Sequence, residues 1–204
     1  MNGRIKMKKT IDSNEYFNNP SKGKRMFLGV MADIIGFIAE EPNAKYSIVV
    51  GTDSEYKGSS VRLSASSSGK PKLRSLANGN GVVSRKEKEG VGTADFVSVV
   101  TIHRVGKGGK FFWKKMPAVD TFDRHDRMVK EAYYSIDLAH RVMAELRDKL
   151  KDLLYEFEIH LDIGHNGPTK ELIQEIVGMV AGNGFTARIK PESYAASIVA
   201  DKFV

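Results

Sequence analysis

The chain has 204 residues, enough for one well-packed domain and short for two. It contains no cysteine, which excludes disulfides, cysteine zinc sites and thiol nucleophiles, and no apolar run approaches the ~18 residues of a membrane span. Its net charge of +7 points to an acidic partner such as nucleic acid, but eight basic residues against two acidic ones crowd between Lys57 and Gly92. Four more basic residues lie in the first nine, so the rest of the chain is net acidic. That basic start leads into no apolar stretch, so no secretory signal is expected, and the expected location is cytoplasmic.

In chain order, residues 1–19 are expected to be a flexible lead closing on Asn18-Asn19-Pro20. A helix is predicted from Met26 to Glu40, where Phe27, Val30, Met31, Ile34, Ile35 and Ile38 recur at three- and four-residue steps. Pro42 stops it. Tyr46 to Thr52 is a β-branched run suited to a buried strand. Residues 57–92, rich in Ser, Gly, Asn and Lys, are expected to form a flexible basic insertion. Its lysines and arginines suit either a grip on a nucleic-acid backbone or a solvated loop; it has no aromatic residue for base stacking. Strands follow at Ala94–His103 and Lys110–Lys115, joined by the turn Gly106-Lys107-Gly108-Gly109. One long helix is predicted from about Thr121 to Leu154, then a strand at Glu156–Ile163, a helix at Pro168–Ala181, a strand at Phe185–Lys190 and a helix at Ser193–Phe203. Strands one to three then form an antiparallel meander, and the helical crossover returns the chain parallel to the first strand.

That topology brings Asp53, at the end of the first strand, beside Asp162, at the end of the fourth, about one strand spacing (~4.8 Å) away. Alone, either aspartate would read as a turn or cap residue. As neighbours, two carboxylates repel unless a proton or a cation sits between them, and oxygen-only ligation suits Mg²⁺ or Mn²⁺. Strand ends are also where ligands bind in α/β sheets. On the long helix the apolar stripe centres near Ala139, and Glu131 lies roughly 80° from it. Glu145 falls roughly 120° away, and Asp123, Asp126, Asp137, Asp148 and Asp152 roughly 140° or more. Glu131 is therefore the helix acid nearest the sheet, or an ordinary boundary glutamate. Asp201 shares a face of the last helix with Tyr194 and Ile198, an awkward place for an unpaired charge, although a solvated C-terminal aspartate fits as well. Asn166 and Gly167, just before a helix start, are candidates to hold a phosphate on free backbone N–H groups. His103 and His160, within strands, are expected to be packed or hydrogen-bonded.

The element order and the four acids resemble the ribonuclease H-like superfamily, and more narrowly its YkuK-type bacterial proteins. The resemblance rests on Pro20-Ser-Lys-Gly-Lys24, Ile48-Val-Val-Gly-Thr-Asp-Ser54, Ile102-His-Arg-Val-Gly-Lys-Gly-Gly109, His160-Leu-Asp-Ile-Gly164 with Asn166-Gly167, Ile189-Lys-Pro-Glu-Ser-Tyr194 and Val199-Ala-Asp201. It spans nearly everything except the first 19 residues and the insertion. It implies an α/β domain over residues 20–204, interrupted at 57–92. The expected sheet is mixed and five-stranded, a three-strand meander plus two parallel strands, flanked by helices with an extra one at the N-terminal side. It also implies a nuclease acting on RNA, DNA or hybrid through two Mg²⁺ or Mn²⁺ ions, with Asp53, Glu131, Asp162 and Asp201 as catalytic ligands. Asp53 would bridge both ions, with Glu131 and Asp162 on one and Asp201 on the other. A departure is the 57–92 segment, where relatives have a short turn. Two rivals stand beside this reading: a nucleic-acid-binding or scaffold protein that keeps the fold without turnover, and an actin-like phosphotransferase suggested by Asp162-Ile163-Gly164. The second needs two such domains, and this chain has length for one.

Overall fold

A computed structural model describes residues 15–58, 92–151, 153–164 and 170–204. Two four-residue strands, β1 (Tyr16–Asn19) and β2 (Gly23–Met26), form an antiparallel hairpin. The Asn19 side chain builds its turn: Oδ1 accepts from the N–H groups of Ser21 (3.0 Å) and Lys22 (2.9 Å), while Nδ2 donates to the Phe111 carbonyl (2.9 Å). Part of the expected 1–19 lead is therefore strand. Two strands this short carry too little alternation to announce themselves.

Helix α1 (Phe27–Ala39) buries Val30, Met31, Ile34, Phe37 and Ile38 along one stripe, as its spacing requires. The central strand β3 (Tyr46–Gly58), β4 (Gly92–Arg104) and β5 (Gly109–Thr121) make the antiparallel meander. All three run longer than their apolar cores suggest. In particular, Lys57, Gly58 and Gly92, expected to belong to the insertion, are strand residues; the remainder of the insertion, 59–91, lies outside the described residues. The β4–β5 turn matches expectation, with Gly106 (φ 80°) and Gly108 (φ 88°) in the left-handed region.

The long helix α2 (Arg124–Leu150) starts at a cap: Asp123 accepts the Asp126 N–H at 2.7 Å, and Asp126 accepts from the Phe122 N–H at 3.0 Å. It crosses over to β6 (Tyr155–Leu161), which pairs parallel to β3. Helix α3 (Lys170–Gly182) leads to the three-residue β7 (Thr186–Arg188), parallel to β6. The last expected helix is a π-helical segment, Ala195–Ala200, running into a single 3₁₀ turn, Asp201–Phe203.

Among the described residues the sheet has seven strands in the order β2-β1-β5-β4-β3-β6-β7, so the five-stranded expectation is corrected by the hairpin β1–β2 at the β5 edge. Parity divides the two faces. Ile48, Val50, Val100, Ile102, Phe112 and Ile159 pack with α1, α2 and α3 in the main core. Val97 and Val99 lie under the C-terminal segment with Ala200, flanked by Phe111, Trp113 and Phe203. No described helix is long and apolar enough to cross a membrane.

Candidate active site

The site is set by register. Strand pairing of β3 with β6 runs to Thr52 opposite Leu161, so the next residues along the two strands are Asp53 and Asp162. Gly51, two residues before Asp53, faces the C-terminal segment so closely that a Cβ there would stand 2.9 Å from Ala196 N. By the two-residue period Asp53 shares that face. Ser54 points to the other side, where its hydroxyl donates to Glu131 Oε1 at 2.5 Å. Glu131 thus leans from α2 over the end of the sheet.

Asp201 is exposed, as a solvated aspartate would be, but its segment is pinned to the same face, near enough for its charge to act on Asp53. Buried His160, opposite Gly51 on β6, accepts the Ala195 N–H on Nδ1 at 3.2 Å and meets the Tyr194 ring edge-on at 4.8 Å. The Tyr194 hydroxyl lies 3.2 Å from Thr101 Oγ1. With Nδ1 accepting and burial lowering its pKa, His160 is a neutral clamp. The expected packed role fits His160; His103, by contrast, is exposed.

Asp53 and Glu131 feel both burial and their acidic neighbours. Burial, then the charges of Asp162 and Asp201, push Asp53 up to about 6. Burial first, with added repulsion from Asp53 and Asp162, pushes Glu131 up to about 8, although part of its surface still meets solvent. Arg127, whose Nη1 reaches the Ser54 carbonyl at 3.4 Å, works against both shifts. Such raised values mark carboxyl groups taken out of water, with acidic neighbours adding to the effect.

A cation already stands among them. Lys190 Nζ donates to Asp162 Oδ2 at 3.1 Å and lies 2.8 Å from Oδ1. The second approach lacks hydrogen-bond alignment, which leaves Oδ1 buried with no hydrogen-bond donor. Among the described residues no three acidic or histidine side chains form a ready ligand shell, since Glu131 is turned to Ser54 and Asp162 to Lys190. Asn166 and Gly167 lie outside the described residues.

The Ribonuclease H-like family profile matches residues 84–204, more than half of the chain. The chain belongs to the ribonuclease H-like family. It is also similar to the uncharacterized protein YkuK of Bacillus subtilis (strain 168), 29% identical over 202 residues, which cover 92% of this chain and 95% of that one. No solved structure matches it. The ribonuclease H-like match contains Glu131, Asp162, Lys190 and Asp201, while Asp53 lies upstream of it and joins them through strand pairing.

Sequence reasoning misses Lys190, Ser54, Arg127 and the clamp residues Gly51 and His160 as neighbours of these acids. Apolar patterning puts Lys190 at the end of a strand that in fact stops at Arg188, which frees it to turn toward β6. Its backbone N–H then bonds the Ile163 carbonyl at 2.9 Å. The available signal is its place in Ile189-Lys-Pro-Glu-Ser-Tyr194. Gly51, a lone glycine in a β-branched run, signals close backbone approach.

Proposed function

We propose that this protein is a divalent-metal-dependent nuclease that hydrolyses phosphodiester bonds in nucleic acid, with Asp53, Glu131, Asp162 and Asp201 as its metal-binding and catalytic residues. The observation that carries the reading is the gathering of acids where the β3–β6 pairing ends, in which burial first, and then neighbouring carboxylates, raise Asp53 and Glu131. An all-oxygen donor set of this kind suits Mg²⁺ or Mn²⁺. The ribonuclease H-like fold, which generally engages nucleic acid, supplies the substrate class.

Bound divalent cations would activate water and stabilise charge on the phosphate and the leaving oxygen. The chain's own residues do the rest. Asp53, inside β3 rather than at its expected end, and Asp162, the first residue after β6, hold fixed backbone positions where the β3–β6 pairing stops, so their carboxylates are preorganised. Glu131 is held through the Ser54 hydroxyl and must ionise before it can bind a cation. His160 and Gly51 keep the segment carrying Asp201 against the sheet. Arg127 adds positive charge where an anionic strand would approach.

Cleavage of RNA, DNA and hybrid oligonucleotides with Mn²⁺ or Mg²⁺ tests the proposal. Activity is expected in the wild type, abolished by EDTA, and reduced at least 100-fold by Asp53→Asn or Asp162→Asn with circular dichroism unchanged. Undiminished cleavage by both variants rules the site out. Binding without cleavage by the wild type leaves the non-catalytic alternative.

A further inference from the structure

We propose that the Lys190 ammonium is a built-in cation of the acidic site, taking one of the two cation positions and leaving a centre for a single divalent ion. The inference rests on the metal-centre reading above and adds to it the number of ions and the residue that sets it.

The placement is structural. Backbone hydrogen bonding from Lys190 N to Ile163 O at 2.9 Å ties the loop after β7 to the end of β6, one residue from Asp162. The lysine stem passes beside Gly164, where a Cβ would make only ordinary van der Waals contact, 3.5 Å from Lys190 Cβ and 3.7 Å from Cδ. From there Nζ reaches both oxygens of Asp162, at 2.8 and 3.1 Å. It also acts electrostatically on Asp53 and Asp201. Glu131 instead acts on Asp53 and Asp162 and is tethered to Ser54 on the far side of β3. The ammonium therefore belongs to the group formed by Asp162, Asp53 and Asp201, where a divalent ion would otherwise be drawn.

Cations in a two-ion site stand roughly 3.5–4 Å apart, so each lies in the immediate surroundings of the other. A second divalent ion would have to displace Nζ from both oxygens of Asp162 or accept strong repulsion beside it. An ammonium is a compact point charge with three donors, able to steady a phosphate oxygen as a second ion would.

Counting Mn²⁺ bound to the full chain, by titration calorimetry and by loss of the free-ion paramagnetic resonance signal, tests this. The wild type is expected to bind one ion, Lys190→Met two, and Lys190→Arg one, because arginine restores the charge. The remaining ion should bind at least tenfold more tightly in Lys190→Met than in the wild type. Anomalous scattering from Mn²⁺-soaked wild-type crystals gives a second measurement that needs no variant, with one peak expected and Nζ still on Asp162. Two ions in the wild type, or one ion in folded Lys190→Met, overturns the role of Lys190 and leaves the metal centre standing. No uptake by any form removes the metal centre and this inference together.

Discussion

Gly51 is where one added methyl group would press hardest on the site. A Cβ there would meet Ala196 N at 2.9 Å and the His160 carbonyl at 3.1 Å, both backbone atoms that cannot rotate away. Gly51→Ala must push the C-terminal segment off the sheet, and Asp201 travels with it. The expected cost is about 1–3 kcal/mol of stability, in the range of overpacked cores. Weakened Mn²⁺ uptake should accompany it; a variant with unchanged urea midpoint and unchanged uptake would show that the segment does not depend on this close approach. Glu131 has a different signature, in pH. Its carboxyl is raised from 4.5 to about 8, chiefly by burial, so the folded protein holds a proton there that the unfolded chain releases near 4.5. Where the folded state binds more protons, stability falls as pH rises. In EDTA the wild type should therefore lose stability between about pH 5 and 8, with Asp53, raised to about 6, adding to the early part of the fall. Glu131→Gln should flatten the profile and be the more stable protein at pH 8, by roughly 1–3 kcal/mol after allowance for solvent relaxation. Parallel pH profiles for the two proteins would contradict the burial of this charge.

At the scale of elements, α2 depends on how it begins. Asp123 caps it by accepting from the Asp126 N–H, and Asp126 returns to Phe122 N–H and to Thr121 Oγ1 at 3.1 Å. Glu131 lies about two turns inside that start, so fraying there loosens the acid's footing. Asp123→Ala should cost about 1 kcal/mol, read from chemical denaturation, and a loss under 0.3 kcal/mol, roughly the scale of an exposed substitution, would assign the cap little weight. The elements most legible in the sequence are those with a long period and a single buried face. Helix α1 and the buried stripe of α2 follow from three- and four-residue spacing, and the Asp53–Asp162 juxtaposition follows from reading β3 and β6 as parallel strands. The hairpin β1–β2 is not legible, because a single buried apolar side chain, Phe17, sets no period and its turn is built by Asn19 side-chain bonds. Strand ends past the apolar core, such as Glu55–Gly58, escape for the same reason: their pairing with Thr93–Asp95 is backbone hydrogen bonding, which composition does not reveal. Lys190 escapes because a long side chain from a loop reaches a partner 28 positions away in the chain. Local patterning contains no trace of such a reach.

For the whole molecule, the charge pattern and the fold make separate contributions. The pairing of Gly58 with Thr93 places the described residues that flank 59–91 at neighbouring points on adjacent strands. A two-residue Asn-Gly turn in place of 59–91 can close β3 and β4 as a hairpin without moving Asp53, which lies five residues before that junction. The shortened protein should keep its urea midpoint and its Mn²⁺ stoichiometry. It would, however, lack Arg62, Lys70, Lys72, Arg74, Arg85, Lys86 and Lys88. Since the segment has no aromatic residue, it can offer a nucleic acid charge but no stacking, and charge interactions fade with salt. Binding to a single-stranded oligonucleotide should thus weaken at low salt and converge with the wild type at high salt. For every phosphate the shortened protein no longer neutralises, the slope of log affinity against log salt should fall by about 0.7. An unchanged slope would mean that none of the seven basic residues meets a phosphate, and that affinity for nucleic acid comes from basic residues elsewhere in the chain.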